Sequence, residues 1–325
     1  MDRKLLDSIH ESIDSARHIM MVTHVAPDGD AIGSMLGLGL LLRAQGKVVI
    51  QICEDPIPGV YASLPGSFEI IREANGPCDL LISLDCSDGG RMGNVFHDDL
   101  SAIPLLNIDH HVTNTRFGSI NWVDPSSVST TQMILELADA LGWCVTQPVA
   151  VCLLTGLVTD TRSFRTYNVD SSAMRAALRL MEVGASLNEI TRQVLEQRPL
   201  ASVRLWGQAF DRLKLEDDIL WTEVTSEMRQ SLALGEDGDS GLANFLSGVR
   251  ESKVSVVFTE RDNGTIDVGM RSVPGYDVAE VAYRLGGGGH PQAAGCTLEG
   301  DLAGVKERVL LEIRRSLAGH PVKLA

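Results

Sequence analysis

Apolar residues in the first half of the chain fall into short, nearly continuous runs separated by stretches with helical spacing. The runs predict four buried strands, over 18–25, 47–53, 78–86 and 103–111. One helix is predicted over about 30–45, ending at Gly46. Another over 129–142 has Ser129 as its N-cap and Gly142 as its end. Continuous apolar strands that alternate with helices predict an α/β fold with a parallel, doubly wound sheet covered on both faces.

The second half of the chain follows a different pattern. Residues 146–215 are mainly helical, and after 216 alternating apolar residues predict strands over 218–225, 253–260 and 266–272. Asn263–Gly264 has the composition of a hairpin turn between the last two of these strands. Helices over about 277–285 and 302–317 complete a smaller α/β domain.

We therefore expect a first domain over 1–185, a helical connector over 186–215 and a second domain over 216–325. The length of 325 residues suits such a two-domain division. A cleft between two domains is a common ligand site, so we expect the active site there.

Composition indicates the cellular compartment in which we expect the protein. Apolar residues make up 44% of the chain, without a run long enough to cross a membrane. The N-terminal residues 1–18 predict an amphipathic helix and lack the basic-then-apolar order of a signal peptide. The six cysteines are scattered without a CxxC pair, at 53, 78, 86, 144, 152 and 296. These features indicate a cytoplasmic protein with reduced thiols.

Charge limits the class of substrate. The chain has 43 acidic and 28 basic residues, a formal net charge of −15, and no basic block. Proteins that bind long nucleic acids use many Lys and Arg contacts to phosphates, so long nucleic-acid binding is not expected. If the protein handles phosphates, a short substrate held by metals and a few arginines fits better.

Aspartate and histidine residues gather where the predicted apolar elements end. The residues are His24, Asp28, Asp30, Asp85, Asp88, Asp109, His110, His111 and Asp160. Because the carboxyl ends of parallel strands share one edge of the sheet, we expect these side chains to converge there. Asp88 precedes a Gly-Gly pair and is interpreted as a turn residue.

Carboxylates with a minority of imidazoles and no thiolates suit a divalent metal in octahedral surroundings. Mn²⁺ fits this donor set best, with Mg²⁺ or Co²⁺ as alternatives. So many donors exceed what one ion with open positions needs, and they favour two ions that share a bridging carboxylate.

The segments HVAPDGDAIGS, DCSD, IDHH and GLVTDTRSFR resemble the four motifs of the DHH phosphoesterases, and GMRS and GGGGHPQAAG resemble the associated DHHA1 domain. The resemblance covers nearly the whole chain in the right order. Within the family the chain is similar to the stand-alone oligoribonucleases, or nano-RNases, that also act as phosphatases on 3′-phosphoadenosine 5′-phosphate (pAp).

The resemblance implies a role for each motif residue. One metal ion would be held by His24, Asp28 and Asp85. The other would be held by Asp30, Asp85, His110 and Asp160, with Asp85 as the bridge. His111 would face the substrate phosphate or the nucleophile. To Asp109 we assign the orientation of the neighbouring histidines. Arg162 departs from the family pattern, because many relatives have a small residue after the Asp-Thr pair.

Substrate contacts are expected mainly from the second domain. The glycine run 286–289 lets backbone N–H groups approach an anion, and Arg271 offers a bidentate contact to a phosphate. The resemblance supports substrate binding by Arg271, Ser272, Gly288, Gly289 and His290. Arg165 is a further candidate, although a salt bridge would explain it nearly as well. The alternative for the glycines is a flexible turn.

The expected reaction is metal-dependent hydrolysis of di- to few-nucleotide RNA to mononucleotides, together with dephosphorylation of pAp. In-line attack by a water on a phosphate neutralised by two cations, assisted by His111, is the expected mechanism. The resemblance and the apolar composition are also consistent with a homodimer, without indicating its interface.

Several rival functions fit the same motifs less well. A manganese-dependent inorganic pyrophosphatase should have a late Arg-Lys-Lys cluster, and a RecJ-like exonuclease should have extra domains and a basic channel. Hydrolysis of cyclic di-AMP, or of its linear product pApA, stays open because signalling phosphodiesterases share this two-domain body. From a different class, a non-catalytic nucleotide-sensing module is disfavoured because every motif position is filled.

Overall fold

The structure is a computed structural model that describes residues 2–73, 76–95, 103–235 and 241–319. It divides into two compact units, Met1–Gln197 and Arg198–Ala325. The segment 186–215, predicted as a connector, therefore lies partly in each unit. The predicted three-part division remains a prediction.

The first unit contains an α/β sequence of elements. Its helices are α1 (Arg3–Ser15), α2 (Gly29–Ala44), α3 (Thr130–Ala140), α4 (Gln147–Asp160), α5 (Ser171–Glu182) and α6 (Leu187–Thr191). Its strands are β1 (His18–Val22), β2 (Val48–Ile52), β3 (Leu80–Leu84), β4 (Leu105–Asp109) and β5 (Ile120–Val123). The four predicted strands of this region are confirmed, and so are the helices predicted over 1–18, 30–45 and 129–142. Strand β5 was not predicted.

In the described part of this unit the five strands form one parallel sheet in the order β2-β1-β3-β4-β5. The chain runs outward from β1 to β2 and then returns to β3 on the other side of β1. Such a reversal of strand order is a topological switch point, where the carboxyl ends of the two strands leave a crevice for ligands. The predicted parallel α/β architecture is confirmed.

The two faces of this sheet supply separate apolar clusters. Ile19 and Met21 of β1 pack in the larger cluster, with residues of α1, α2, α3 and α4. Met20 and Val22 point to the opposite face, where Met92 and Val95 of the 3₁₀ segment Gly89–Val95 cover them. Among the described residues, helices thus concentrate on one face, and short 3₁₀ turns cover the other.

Close packing of α2 against α4 explains the glycines in the middle of both helices. A Cβ atom on Gly33 would lie 2.5 Å from the carbonyl oxygen of Cys152, which is too close for any side chain. A Cβ atom on Gly156 would lie 2.4 Å from Cγ2 of Thr131 and 2.7 Å from a carboxylate oxygen of Asp30. These glycines let the helices approach until the side chains at their ends meet.

The second unit is a smaller α/β body. Its helices are α7 (Leu200–Phe210), α8 (Ser226–Ser231), α9 (Leu242–Leu246), α10 (Val278–Arg284) and α11 (Leu302–Gly319). Its strands are β6 (Lys214–Glu216), β7 (Ile219–Val224), β8 (Val254–Glu260), β9 (Thr265–Ser272), β10 (Gly288–His290) and β11 (Ala293–Glu299). Within the described ranges these strands form one mixed sheet in the order β10-β11-β9-β8-β7-β6, in which β7 and β8 pair in parallel.

The glycine run 286–289 differs from the flexible turn that was one interpretation of it. Its last part forms edge strand β10, which pairs antiparallel with β11 and places Gly288 opposite Gly295. A Cβ atom on Gly287 would lie 2.1 Å from the carbonyl oxygen of Gly295. Close approach of two backbones therefore accounts for part of the run. The predicted hairpin at Asn263–Gly264 is confirmed, with Gly264 at φ +84°.

Across the residues that the structure describes, no helix combines the length and the apolar character needed to span a bilayer.

Candidate metal centre

The first two potential metal ligands, His24 and Asp28, follow the end of β1. His24 is buried, and its Nδ1–H donates to the carbonyl oxygen of Val25 at 2.8 Å, which leaves Nε2 for other partners. That Nε2 lies 3.8 Å from Oδ1 of Asp28 and 3.6 Å from Oδ2 of Asp85. Asp28 also caps α2, because its carboxylate accepts hydrogen bonds from the backbone of Asp30 and Ala31 at 3.0 Å each.

Asp30 lies in the first turn of α2 and is fully buried. The start of α3 holds its carboxylate from the opposite side. Backbone N–H groups of Thr130 and Thr131 donate to it at 2.6 and 3.0 Å, and the Thr131 hydroxyl donates at 2.7 Å. A helix N-terminus is a favourable place for a carboxylate, so this contact fixes Asp30 where it meets other negative charges.

Asp85 follows β3 and lies at the centre of the cluster. Its backbone adopts a left-handed conformation with φ +60°, which is uncommon outside glycine. Its Oδ1 accepts a hydrogen bond from the Thr130 hydroxyl at 2.9 Å. The same oxygen lies 3.6 Å from Nε2 of His110, while Oδ2 faces His24. Asp85 thus contacts donors from both sides of the switch point.

His110 repeats the arrangement of His24. Its Nδ1–H points to the carbonyl oxygen of Ser127 at 3.3 Å, and its Nε2 faces three carboxylates. The Nε2 atom lies 4.0 Å from Asp30, 3.6 Å from Asp85 and 3.4 Å from Asp160. A histidine with one nitrogen bound to a backbone carbonyl and the other among carboxylates has the orientation typical of a metal ligand.

His111 is held by a separate chain of polar groups. Its Nδ1–H donates to Oδ1 of the fully buried Asp109 at 2.7 Å. The other oxygen of Asp109 accepts from the side-chain amide of Asn114 at 2.6 Å, and that amide also donates to Asn107 at 2.8 Å. Asp109 therefore contacts His111 directly. The Nδ1–H of His110 points instead to the carbonyl oxygen of Ser127.

Asp160 ends α4, and a rare turn follows it. Arg162, Ser163 and Phe164 all have positive φ, at 49°, 58° and 62°. Three such non-glycine residues in a row cost conformational free energy, which a glycine at position 162 would reduce. Arg165 is exposed, and its Nε donates to the carbonyl oxygen of Arg162 at 2.8 Å.

Protonation in this cluster reflects the crowding of negative charge. Burial raises the pKa of Asp30 well above its ordinary value, and the charges of Asp85 and Asp28 raise it further. Burial and three neighbouring carboxylates raise the pKa of Asp160 in the same way. Burial would also raise the pKa of Asp85, but the hydrogen bond from His24 and the charged histidines hold it well below its usual range.

His24 and His111 have taken up the opposite charge. Burial acts to lower the pKa of His24, but its hydrogen bonds to Asp28 and Asp85 raise that pKa to about 10. Burial also opposes protonation of His111, yet the Asp109 carboxylate raises its pKa to about 9. Without a cation, the cluster thus compensates its negative charge with protons on His24, His111, Asp30 and Asp160, whereas burial lowers the pKa of His110.

This donor set fits divalent metal ions. Ligand atoms of His24, Asp28 and Asp85 lie within 4.8 Å of one another, and the same holds for Asp30, Asp85 and His110. Asp85 belongs to both groups, as a bridging carboxylate would. The set contains oxygen and imidazole donors and no thiolate, which disfavours a structural zinc site.

The predicted substrate residues of the second unit lie around β9 and β10. Arg271 donates through Nε to the side-chain oxygen of Asn244 at 2.6 Å and through Nη1 to the carbonyl oxygen of Met270 at 2.8 Å. The Ser272 hydroxyl donates to the carbonyl oxygen of Tyr276 at 2.7 Å. Register places Ala293 opposite both Arg271 on β9 and His290 on β10, so one strand separates them.

The sequence analysis did not identify the residues that hold the potential metal ligands and Arg271 in place. Thr130, Thr131 and Asn114 bind the carboxylates directly, and Asn244 binds Arg271. Ser129-Thr130-Thr131 was interpreted only as the start of a helix, which it also is. Asp88 accepts a hydrogen bond from the backbone of Arg91 at 3.2 Å, in keeping with the turn predicted for it.

Comparisons with known proteins follow the same division of the chain. Residues 18–157 match the family model of the DHH family, N-terminal domain, and residues 236–318 match that of the DHHA1 domain. The bifunctional oligoribonuclease and PAP phosphatase NrnA of Thermus thermophilus is 37% identical over 92% of this chain and 90% of that protein. The protein of the same name from Bacillus subtilis is 28% identical over 86% and 89%.

A solved structure supports the fold. The crystal structure of an exopolyphosphatase-related protein from Bacteroides fragilis matches with a TM-score of 0.85 and 24% identity. The match covers 98% of this chain and 96% of that one.

Proposed function

Because the chain belongs to the DHH phosphoesterase family, whose members are metal-dependent hydrolases, we propose that it hydrolyses short oligoribonucleotides to mononucleotides and dephosphorylates pAp. The curated relatives described above carry both activities in their names. The charge of −15 supports a short substrate, because a long RNA would meet repulsion along most of its length.

The metal ions would be held by the carboxylate and histidine cluster. His24, Asp28 and Asp85 would bind one ion, and Asp30, Asp85, His110 and Asp160 would bind the other. When bound, two divalent ions neutralise a phosphate and lower the pKa of an attacking water. Mn²⁺ is the proposed ion because a mixed carboxylate and imidazole set suits it, with Mg²⁺ and Co²⁺ as alternatives.

The other residues of the site orient groups and move protons. In the metal-free protein the Asp109 carboxylate raises the pKa of His111 to about 9, and the same carboxylate fixes its ring. His111 is therefore suited to donate a proton to the leaving oxygen or to bind the phosphate. Thr130 and Thr131 fix Asp85 and Asp30, so the carboxylates need little rearrangement during turnover.

Recognition of the rest of the nucleotide would fall to Arg271, Ser272, His290 and the backbone of Gly288 and Gly289. A guanidinium held by Asn244 offers a preorganised contact to a phosphate or a base. Arg165 is a second candidate cation, at the exposed end of the turn after Asp160. Contacts of this kind favour substrates of one or a few nucleotides.

The observation that carries this proposal is the approach of donors from four separate elements. Nε2 of His110 alone lies within 4.0 Å of three carboxylates that are far apart in the sequence. Burying several like charges together is strongly unfavourable unless cations or protons compensate them. A structural role would be served better by apolar residues at these positions.

A turnover panel tests the proposal. Purified protein with Mn²⁺ is offered 5′-phosphorylated RNAs of two to twenty-four nucleotides, pAp, pApA and cyclic di-AMP, and product nucleotides are measured by chromatography. We expect the highest kcat/KM for the shortest RNAs and measurable release of phosphate from pAp. A flat profile out to long RNA would contradict the short-substrate proposal.

The same panel addresses the alternatives. Preferred hydrolysis of cyclic di-AMP or pApA would identify a signalling phosphodiesterase instead. Binding of nucleotides without turnover under Mn²⁺, Mg²⁺ and Co²⁺ would identify a sensing module.

A further inference from the structure

The chain that follows β2 contacts the loop between β1 and α2 through Asp55. The backbone N–H of Ala26 donates to Oδ2 of Asp55 at 2.6 Å, a short hydrogen bond of the kind that carboxylate acceptors form. The preceding backbone N–H, that of Val25, donates to the carbonyl oxygen of Arg91 at 2.8 Å. Ala26 has a left-handed backbone with φ 53°, which costs free energy in a residue with a side chain. These two hydrogen bonds therefore hold a strained turn just before α2.

One peptide group connects Asp55 with His24. The peptide between Val25 and Ala26 is trans and planar, so its C=O and N–H groups point in opposite directions. Its N–H group binds Asp55, and its C=O group accepts the Nδ1–H of His24 at 2.8 Å. Because Asp55 fixes the direction of the N–H group, it also fixes the carbonyl oxygen that holds the imidazole.

We propose that Asp55 is a positioning residue for the metal ligand His24 and acts through this peptide group. The inference rests on the proposed metal site. A hydrogen bond on Nδ1 selects the tautomer of the imidazole and directs Nε2 towards the ion. Without the Asp55 carboxylate, the left-handed turn loses the contact that offsets its cost, and the peptide group is free to rotate. The carbonyl oxygen would then leave His24, and the ring would lose its orientation.

The effect should be confined to one of the two proposed ions. His24 and His110 belong to different groups of ligands, and a different backbone carbonyl orients each ring. The Nδ1–H of His110 points to the carbonyl oxygen of Ser127, 3.3 Å away, in the loop before α3. A change at Asp55 should therefore weaken binding of the ion at His24 and leave the ion at His110 nearly unaffected.

Asp79 provides a matched control at the opposite end of β1. Its carboxylate accepts hydrogen bonds from the backbone N–H groups of Arg17 at 3.0 Å and His18 at 2.7 Å. The contact has the same chemistry as that of Asp55, but it lies one five-residue strand away, about 17 Å along the strand axis. A general loss of stability should appear in both alanine variants, whereas a loss of metal affinity should appear only at Asp55.

Calorimetric titration of the full chain with Mn²⁺ tests the inference. The wild type should bind two ions per chain. Asp55→Ala should weaken one of them about 10- to 100-fold, as expected when a group that orients a ligand is lost, and should keep the other within about threefold. Asp79→Ala should bind both ions as the wild type does. Near-ultraviolet circular dichroism and thermal unfolding show whether each variant is folded.

Two conservative variants separate position from charge, and they test the inference even if Asp55→Ala does not fold. Asp55→Asn keeps an acceptor oxygen for the N–H of Ala26 and should bind both ions within about threefold of the wild type. Asp55→Glu keeps the charge but displaces the carboxylate by one methylene group, so it should weaken the same ion several-fold. A weakened Asp55→Asn with an unchanged Asp55→Glu would mean that Asp55 acts only by attracting cations, and would overturn the inference.

Nuclear magnetic resonance reports the orientation of the His24 ring directly. With saturating Mg²⁺, which is diamagnetic, the ¹H–¹⁵N spectrum of histidine-labelled protein should contain a protected Nδ1–H signal that His24→Gln removes. This signal should broaden or disappear in Asp55→Ala and persist in Asp79→Ala and Asp55→Asn. A role of Asp55 limited to loop stability would leave the signal unchanged in every folded variant.

The remaining outcomes separate this inference from the proposed function. If Asp55→Ala binds both Mn²⁺ ions like the wild type, or weakens both equally, Asp55 does not position His24, and the proposed function still stands. A wild type that binds no Mn²⁺ would overturn the proposed metal site and this inference together.

Discussion

The carboxylate and histidine cluster of the first unit and the Arg271 region of the second unit are built in opposite ways. Asp30, Asp85 and His110 are at most 4% exposed, and backbone N–H groups or threonine hydroxyls hold both carboxylates. Around Arg271, by contrast, the elements are an edge strand of three residues and a partly buried arginine that donates to the Asn244 side chain and to the carbonyl oxygen of Met270.

The difference suggests a division between rigid chemistry and adaptable recognition. Ions that neutralise a transition state need donors fixed to within fractions of an ångström, and a buried helix N-terminus provides such fixation. A site that accepts both pAp and short RNA needs contacts that tolerate several shapes. Each prediction below tests one side of this comparison against the other.

The largest effect is expected at Asp85. Asparagine keeps the size of the side chain and tolerates the left-handed backbone, but it removes the shared charge. Asp85→Asn should lower kcat with Mn²⁺ by at least about 10³-fold while the protein stays folded. Steady-state kinetics and thermal unfolding measure both quantities.

Asp88→Asn provides the matched control, three residues further along the same loop. It should keep activity within about threefold of the wild type, because only a turn contact is altered. Near-normal turnover by Asp85→Asn in buffer with ample metal would contradict the two-ion site.

Metal affinity should rise with pH. The metal-free protein holds a proton on His24, whose pKa is about 10, and a metal ion must displace that proton. Below pH 10, Mn²⁺ affinity should rise about tenfold per pH unit for each proton that the ion displaces. The reason is that fewer protons compete for the ligand atoms at higher pH. Calorimetric titration at pH 6.5, 7.5 and 8.5, in two buffers with different protonation enthalpies, measures affinity and proton release.

Arg271→Ala should show the same pH dependence, because Arg271 carries none of the protons that a metal ion would displace. Mn²⁺ affinity that stays constant across the range would mean that His24 is not a ligand.

Recognition should depend on Arg271 and, more weakly, on Asn244. Arg271→Ala removes a charged contact and should raise KM for short RNA about 10- to 100-fold, with little change in kcat. Asn244→Ala leaves the guanidinium less well oriented and should raise KM about three- to tenfold. Asn244→Asp keeps an acceptor oxygen and should stay close to the wild type.

Arg314→Ala is a suitable control, since Arg314 pairs with Glu216 and Asp217 on the surface of the same unit. If Arg271→Ala lowers kcat without changing KM, Arg271 acts in the chemical step and not in substrate recognition.

The smallest effects separate two neighbouring glycines. Gly289 has φ +137°, and a Cβ atom there would lie 2.5 Å from the carbonyl oxygen of Ala293. Gly289→Ala should therefore lower the free energy of unfolding by about 1–3 kcal/mol. Gly288 faces open space, so Gly288→Ala should change stability by less than about 0.5 kcal/mol.

If the substrate approaches the backbone of Gly288, the Gly288→Ala variant should still have a KM that is a few-fold higher. An unchanged KM would leave only a structural role for this part of the glycine run. Thermal unfolding and kinetics on both variants distinguish the two cases.

Much of the fold could be predicted because most of its strands are nearly continuous runs of apolar residues. Runs such as LLISL have no helical periodicity and are bounded by polar residues, so they indicate buried strands. Strand β5, INWV, has four residues, and β11, AAGCTLE, begins with three small ones. Neither has the signal of a strand by itself, and both depend on neighbours that the sequence does not place.

The donors of the candidate site could also be named from their types and positions. Their supports could not, because Thr130, Thr131 and Asn114 are ordinary cap and turn residues until the fold brings them beside a carboxylate. Thr130 and Asp30 are 100 positions apart in the sequence. Only the packing of α2 against α3 and α4 makes them partners.

The left-handed backbone at Asp85 has an evolutionary consequence. A glycine there would relax the main chain, but it would also remove the carboxylate that faces His24 and accepts the hydroxyl of Thr130. Asparagine tolerates the left-handed backbone and keeps an acceptor for Thr130, while it gives up the charge that turnover needs. A descendant that kept the scaffold but gave up hydrolysis should therefore drift toward asparagine at this one position, before its fold showed any sign of decay.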